Sequence, residues 1–241
     1  MSRNALEMAE VANLIGDVSR ANILAALMDG RALTALELSL AAHVAPQTAS
    51  SHLAKLLAAN LLAVEKQGRH RYYRLASKQV ARTLEAIMAL TADAPPRHRA
   101  KSRPDDELRT ARMCYDHIAG RIGVGISDAL IGSGHIVFEG DAGEVTDAGR
   151  GFFAGLGIDL STPVKSRRVF CRSCLDWSER RPHIAGRVGA EIASLCIERA
   201  WLARKTASRA LTVTDQGRKM LPRAFGADVL DDAAQSRVDQ F

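Results

Sequence analysis

Two short stretches bring together the residue types that could do chemistry in this chain. Cys114-Tyr-Asp116-His117 holds a thiol, a carboxyl and an imidazole within four residues. Cys171-Arg-Ser-Cys174-Leu-Asp176 precedes His183. Both contain Cys-x-Asp followed by a histidine, but the second inserts six residues before its histidine and adds Cys171, making Cys-x-x-Cys. Thiolate sulfur and imidazole nitrogen are ligands of Zn2+ and other thiophilic ions, so Cys114, His117, Cys174 and His183 form a tetrahedral set if the stretches meet. Cys171 and Cys174 could instead be a redox pair, with Arg168, Arg172 and Arg180 nearby to lower a thiol pKa. Two further readings stay open: a structural polar network in which the histidines cap or bridge helices, and contacts to a small organic effector. The candidate effector residues are therefore Cys114, His117, Cys171, Cys174 and His183, with a metal ion, an oxidant or a small molecule as the ligand.

The elements that must position these groups are repeated. HIAGRIG at 117–123 and HIAGRVG at 183–189 differ only at Ile122 and Val188. Without gaps, 117–138 and 183–204 share 8 of 22 positions. VTDAGR (145–150) then matches VTDQGR (213–218) at five of six positions. The offset grows from 66 to 68, which places two extra residues in a hairpin of the second copy. Ile118, Ile122, Ile126, Ala129 and Leu130 follow helical spacing, as do Ile184, Val188, Ile192, Leu195 and Cys196. Each copy reads as helix, hairpin, then a helix capped by Thr or Asp of VTDxGR, and an internal duplication is expected. Cys196 takes the place of Leu130 and reads as core. Gly120/Gly123 and Gly186/Gly189 read as small residues where the two repeat helices cross.

The N-terminal part has a different pattern. Residues 5–15 carry an apolar stripe, and Ser19 precedes RANILAALMDG, which ends at Gly30. Thr34-x-x-Glu37 is a capping-box pattern. Pro46 fits a first helical position. The helix that follows turns Ala49, Leu53, Leu56 and Leu57 inward and leaves Gln47, Thr48, Ser51, His52 and Lys55 outward. LLAVEKQGRHRYYRL alternates about Gly68 as a hairpin bearing Lys66, Arg69, His70, Arg71 and Arg74, and Ser77 caps a last helix. A polar-faced helix beside a basic hairpin is a winged helix-turn-helix, with the helix in the major groove and the hairpin on phosphates.

The strings IGDVSRANILAAL and TASSHLAKLLAANLLAVEKQGRHRYYRL, with the helix after them, resemble the ArsR-type (arsenical-resistance repressor) transcriptional regulators over about residues 5–92. The resemblance implies a homodimeric repressor, joined through its first and last helices (about 5–15 and 78–91), that leaves its operator when an effector binds. Two departures matter. LTALELSLAAH lacks the cysteines, and KQVARTLEAIMAL the Asp and His, that hold metal in many members.

Bulk properties agree with a double-stranded DNA partner. Residues 1–103 carry 14 Lys+Arg and 8 Asp+Glu, and the remainder 19 and 19, so the whole +6 excess lies in the N-terminal part. There is no secretory signal or apolar run of about 18 residues, so a cytoplasmic, non-membrane protein is expected. No catalytic motif is present. The expected fold is mainly α with small β-hairpins: an N-terminal winged helix-turn-helix plus an internally duplicated α+β C-terminal domain of two helix–hairpin–helix repeats. The expected domains are 1–92, a charged linker 93–106, a regulatory domain 107–230 (repeats about 117–159 and 183–228) and a polar tail 231–241. A DNA-binding architectural or partner-binding protein without effector is the alternative, or an enzyme fused to a DNA-binding domain.

Overall fold

Thr34 shows how local chemistry sets the N-terminal unit. Its Oγ accepts the Glu37 backbone N–H at 3.3 Å, while the Glu37 carboxylate accepts the Thr34 N–H at 2.7 Å. This closed capping box starts a helix where the sequence predicts one. The computed structural model describes residues 3–67, 70–92, 103–161, 169–206 and 208–230. It divides into two compact units: residues up to Glu85 with Thr206–Arg209, and Ala86–Lys205 with residues from Ala210 onward.

The first unit runs α1 (Arg3–Ile15), α2 (Val18–Ala26), β1 (Leu33–Thr34), α3 (Ala35–Ala42), α4 (Pro46–Ala58), β2 (Leu62–Gln67) and β3 (His70–Leu75). The division falls within α5 (Lys78–Ala92), seven residues before the sequence-based boundary. Asp17 caps α2 by accepting the Arg20 N–H at 2.9 Å, so Ser19 lies inside the helix. Pro46 opens α4, and Ser77 Oγ accepts the Val80 N–H at 3.3 Å. The expected hairpin gains a third strand, in the order β1-β3-β2. Ile23, Leu24, Leu38, Ala49, Leu53, Leu56 and Leu75 are buried.

The second unit contains α6 (Arg103–Thr110), β4 (Arg112–Cys114), β5 (His117–Ala119), α7 (Arg121–Gly132), β6 (Ile136–Glu139), β7 (Ala142–Val145) and α8 (Asp147–Gly155). It continues with β8 (Cys171–Leu175), β9 (Pro182–Ala185), α9 (Gly186–Glu198), β10 (Leu202–Arg204), β11 (Leu211–Val213), α10 (Asp215–Phe225) and a 3-10 turn, Ala227–Leu230. Its core includes Ile122, Ile126, Leu130, Phe153, Val188, Ile192, Cys196, Trp201 and Leu221.

Three expectations are corrected here. Residues 103–106, read as linker, belong to α6; 93–102 and the 231–241 tail lie outside the described residues. His117-Ile-Ala and His183-Ile-Ala are strand, not the start of a helix. The helices follow Gly120 (φ +81°) and Gly186 (φ +85°), a backbone region that suits glycine. Lastly, the tightest contact at Gly123 and Gly189 is to the strand before each helix rather than to a facing helix. A Cβ at Gly123 would meet Ile118 O at 2.5 Å, and one at Gly189 would meet Ile184 O at 2.3 Å. Each glycine therefore lets a helix fold back tightly on the strand just before it.

The contacts within this unit are reciprocal. α7 packs against β9 and α9 against β5. Ala142 on β7 pairs with Arg172 on β8, and Ala210 bridges to Arg112 on β4. Thr146 and Thr214 cap α8 and α10 through the Gly149 and Gly217 N–H groups, at 3.0 and 2.9 Å.

Candidate DNA-reading surface and a buried cysteine–histidine cluster

α4 presents the polar face the sequence predicts. Gln47, Thr48, Ser51 and Lys55 are exposed, while Ala49, Leu53 and Leu56 are buried. Ser50 and Ala54 are also exposed, although the sequence reading did not single them out. His52 is half-buried, and its Nδ1 is shielded without a hydrogen-bond partner among the described residues. In the hairpin Lys66 pairs with Arg71, and Gln67 with His70. Lys66, His70, Arg71 and Arg74 are exposed; Arg69 lies outside the described residues. The strand alternation places Lys66 and Arg71 on one face, and His70 and Arg74 on the other. Directly opposed like charges repel. The Lys66–Arg71 pair is thus a local cost that a bound phosphate would relieve.

In the second unit, antiparallel pairing sets Cys114 across from His117 and Cys174 across from His183. The ligand-type atoms of all four lie within 4.8 Å of one another. Cys114 and His117 are each 2% exposed and His183 1%; Cys174 is half-buried. The imidazoles meet through their Nε2 atoms, 3.1 Å apart. On the far side of one ring, His117 Nδ1 lies 3.0 Å from Asp116 Oδ1. On the far side of the other, His183 Nδ1 lies 3.4 Å from Asp176 Oδ2 without hydrogen-bond geometry.

Asp176 is the hub of this region. Fully buried, it ion-pairs with the equally buried Arg112 at 3.0 Å and accepts the Gly120 N–H at 2.6 Å. Its other oxygen accepts from Ser178 N, Ser178 Oγ and Glu179 N. Burial alone would raise the Asp176 pKa, but Arg112, His183 and these donors hold it well below the usual carboxylate range. Burial likewise opposes charge on His117, yet hydrogen bonds to Asp116 and Cys174 leave its pKa raised. Hydrogen bonding from Cys114, reinforced by both imidazoles, lowers the Cys174 pKa against its burial.

Cys171 does not join this group. It lies in the apolar core, where its Sγ sits 2.6 Å from where a Gly143 Cβ would be. An odd spacing along a strand sends the Cys171 and Cys174 side chains to opposite faces, so the Cys-x-x-Cys is not a paired dithiol. Burial pushes the Cys171 thiol up to about 11 and the Cys196 thiol up to about 12. The sequence reading missed Arg112 and the hub role of Asp176. The signal was present: Arg-x-Cys-x-Asp occurs at 112–116 and again at 172–176. The same 60-residue offset aligns Cys171 with Ala111, a fully buried small residue.

The chain is 42% identical over 211 residues to the Bacillus subtilis (strain 168) protein described as an "uncharacterized HTH-type transcriptional regulator YdfF". The match takes in 88% of this chain and 93% of that protein, so it extends through both units. HlyU from Vibrio cholerae N16961 is 27% identical, covering 37% of this chain and 97% of its own, with a TM-score of 0.34. Mb0332 from Mycobacterium bovis, a homodimeric winged helix-turn-helix domain of a possible ArsR-family regulator, is 28% identical, covering 39% and 87%, with a TM-score of 0.34. No protein-family model matches. Among the described residues no helix is long and apolar enough to cross a membrane. On the strength of the relative matched over nearly its whole length, the chain belongs to the HTH-type transcriptional regulators and is a DNA-binding regulator.

Proposed function

We propose that this regulator is a homodimeric winged-helix repressor of the ArsR type, released from its operator by an effector engaged in the C-terminal unit. The observation that carries the DNA-reading part is α4: Gln47, Thr48, Ser50, Ser51 and Lys55 stand exposed above buried Ala49, Leu53 and Leu56. In this reading Gln47, Thr48, Ser51 and Lys55 meet base edges, with His52 supporting from its half-buried position. Lys66 and Arg71 meet phosphate, with His70 and Arg74 on the other face of the hairpin; Arg69, outside the described residues, is assigned to phosphate from the sequence alone. Leu6 and Met8 on α1, 49% and 71% exposed, and Leu90 on α5, 74% exposed, support pairing of two copies through these helices.

The second unit is read as two copies of one ancestral element whose hairpins exchanged partners. The pairing of Ala142 with Arg172 and of Ala210 with Arg112 supports this, since both pairs obey the same two repeat offsets. The test uses a duplex selected from a randomised pool by the full chain. Arg71→Ala should weaken binding to selected and random duplex alike and flatten the log affinity–log salt slope by about one. Gln47→Ala should mainly reduce discrimination, by about 1–3 kcal/mol if its contact is bidentate. Unchanged affinity and slope in Arg71→Ala would remove the wing from the interface.

A further inference from the structure

We infer that Cys114, His117, Cys174 and His183 bind a thiophilic divalent ion of the Zn2+ type in a closed tetrahedral site. The Asp116 carboxylate only accepts, so its 3.0 Å contact assigns a proton to His117 Nδ1 and a lone pair to His117 Nε2. That lone pair faces His183 Nε2 at 3.1 Å. A neutral His183 has two choices. Protonated on Nδ1, it sets two Nε2 lone pairs against each other. Protonated on Nε2, it sets its Nδ1 lone pair against the Asp176 carboxylate at 3.4 Å. The first leaves the Nε2 lone pairs only weak thiol donors from the cysteines beside them, and the second sets acceptor against acceptor, in a site where both rings are nearly fully buried. A fully protonated His183 would instead bury another charge beside a carboxylate that Arg112 already neutralises.

A cation between the rings removes the conflict. It takes both Nε2 lone pairs and leaves the His117 Nδ1–H bonded to Asp116, the arrangement by which an outer carboxylate orients a ligating histidine, while the His183 Nδ1–H turns toward Asp176 at 3.4 Å. Two cysteine sulfurs complete the set within 4.8 Å. At ordinary Zn–N and Zn–S lengths, tetrahedral ligand atoms stand about 3.3–3.8 Å apart, so only a modest contraction is required. Two thiolates balance a divalent charge, and a neutral centre is what a buried site favours. Four protein ligands leave no open position, so the ion ties hairpin β4–β5 to hairpin β8–β9 and does not present a reactive water. Half-buried Cys174 is the point of entry.

This inference does not depend on effector-driven release of DNA, and its test reads the metal directly. Full chain, reduced and stripped of metal, is titrated with Co2+ and then with Zn2+. The expected result is about one equivalent of Co2+, with intense tetrahedral d–d bands and a sulfur-to-cobalt charge-transfer band that Zn2+ abolishes. Cys114→Ser and Cys174→Ser should each weaken binding at least tenfold and diminish the charge-transfer band. Cys171→Ser and Cys196→Ser should keep the full spectrum. Wild-type protein that stays folded by circular dichroism and binds less than a tenth of an equivalent overturns the proposal, as does a weak octahedral spectrum. Loss of binding in Cys171→Ser with retention in Cys174→Ser also overturns it. Because wild type alone can refute the site, a variant that fails to fold does not shelter it.

Discussion

The Arg112–Asp176 pair is the interaction whose removal should cost the second unit most. Both side chains are 0% exposed and their charged atoms lie 3.0 Å apart. Two charges at that distance attract by about 5 kcal/mol at an effective dielectric of about 20, and desolvation offsets much of this. Deleting one partner is another matter, because it strands the other charge. Asp176→Asn keeps an acceptor for Ser178 and Glu179 but sets an amide N–H2 against the Arg112 guanidinium or the Gly120 N–H. The expected loss is about 3–5 kcal/mol. At about 3 °C per kcal/mol for a unit of this size, the thermal midpoint should fall by about 10 °C. The chain's two tryptophans, Trp177 and Trp201, both lie in this unit, so emission during urea unfolding follows it selectively. A chelator in every sample keeps metal binding out of the comparison. Adding Arg112→Met to Asp176→Asn should recover about 2 kcal/mol of the summed single costs, since no charge is then left alone. A single-variant cost below about 1 kcal/mol, or simple additivity, would refute the hub assignment.

Two other outcomes follow from the same unit. A Cβ at Gly149 or Gly217 would stand 2.1 Å from His135 O or 2.0 Å from Trp201 O, whereas Gly151 and Gly155 face open space. Alanine at 149 or 217 should therefore cost more than about 3 kcal/mol in urea unfolding, and alanine at 151 should be neutral or stabilising by up to about 1 kcal/mol; equal effects at the two kinds of site would contradict the packing. Cys171 and Cys196, with folded pKa values of about 11 and 12 against about 8.5 unfolded, contribute stability that is complete below about pH 8.5 and is lost as pH rises through the folded values. Both should resist iodoacetamide in native protein at pH 8, and mass spectrometry that finds either labelled as fast as an unfolded control would contradict their burial.

The readable parts of the sequence are those whose cause is local. The Thr34–Glu37 box and the threonine caps of α8 and α10 rest on hydrogen bonds spanning three residues, and Pro46 opens α4 through its own ring. The polar face of α4 follows from helical spacing alone. β4 and β5 could not be read this way, since three residues are too few for a period to emerge. Ile118, Ile122 and Ile126 also happen to be four apart, so a strand, a turn and a helix mimic one continuous helix. The glycine pattern was visible, but its cause was not. Gly149 and Gly217 answer to carbonyls 14 and 16 residues away, which only the folded hairpin brings near.

The cysteine–histidine group shows what residue spacing can and cannot decide. Repetition of Cys-x-Asp and His was enough to nominate Cys114, His117, Cys174 and His183 together, because a pseudo-two-fold packing of matching segments would bring like to like. Cys171 looked equally suitable, since Cys-x-x-Cys is a ligand motif when a turn folds its sulfurs to one side. On an extended strand the same spacing separates them, and the decision rests on backbone conformation that the four residues do not encode. Three offsets then hid the fuller repeat: 60 for Arg-x-Cys-x-Asp, 66 for His-Ile-Ala-Gly-Arg and 68 for Val-Thr-Asp-x-Gly. Each step in offset falls in a loop, the segment from Asp176 to Arg181 and the turn between β10 and β11. Once both insertions are allowed for, Ala111 explains Cys171 as a buried small residue, and Arg112 takes its place beside Asp176. Where two stretches of one chain match in sequence, the counterpart position therefore separates a candidate ligand cysteine from a packing one when the local motif cannot.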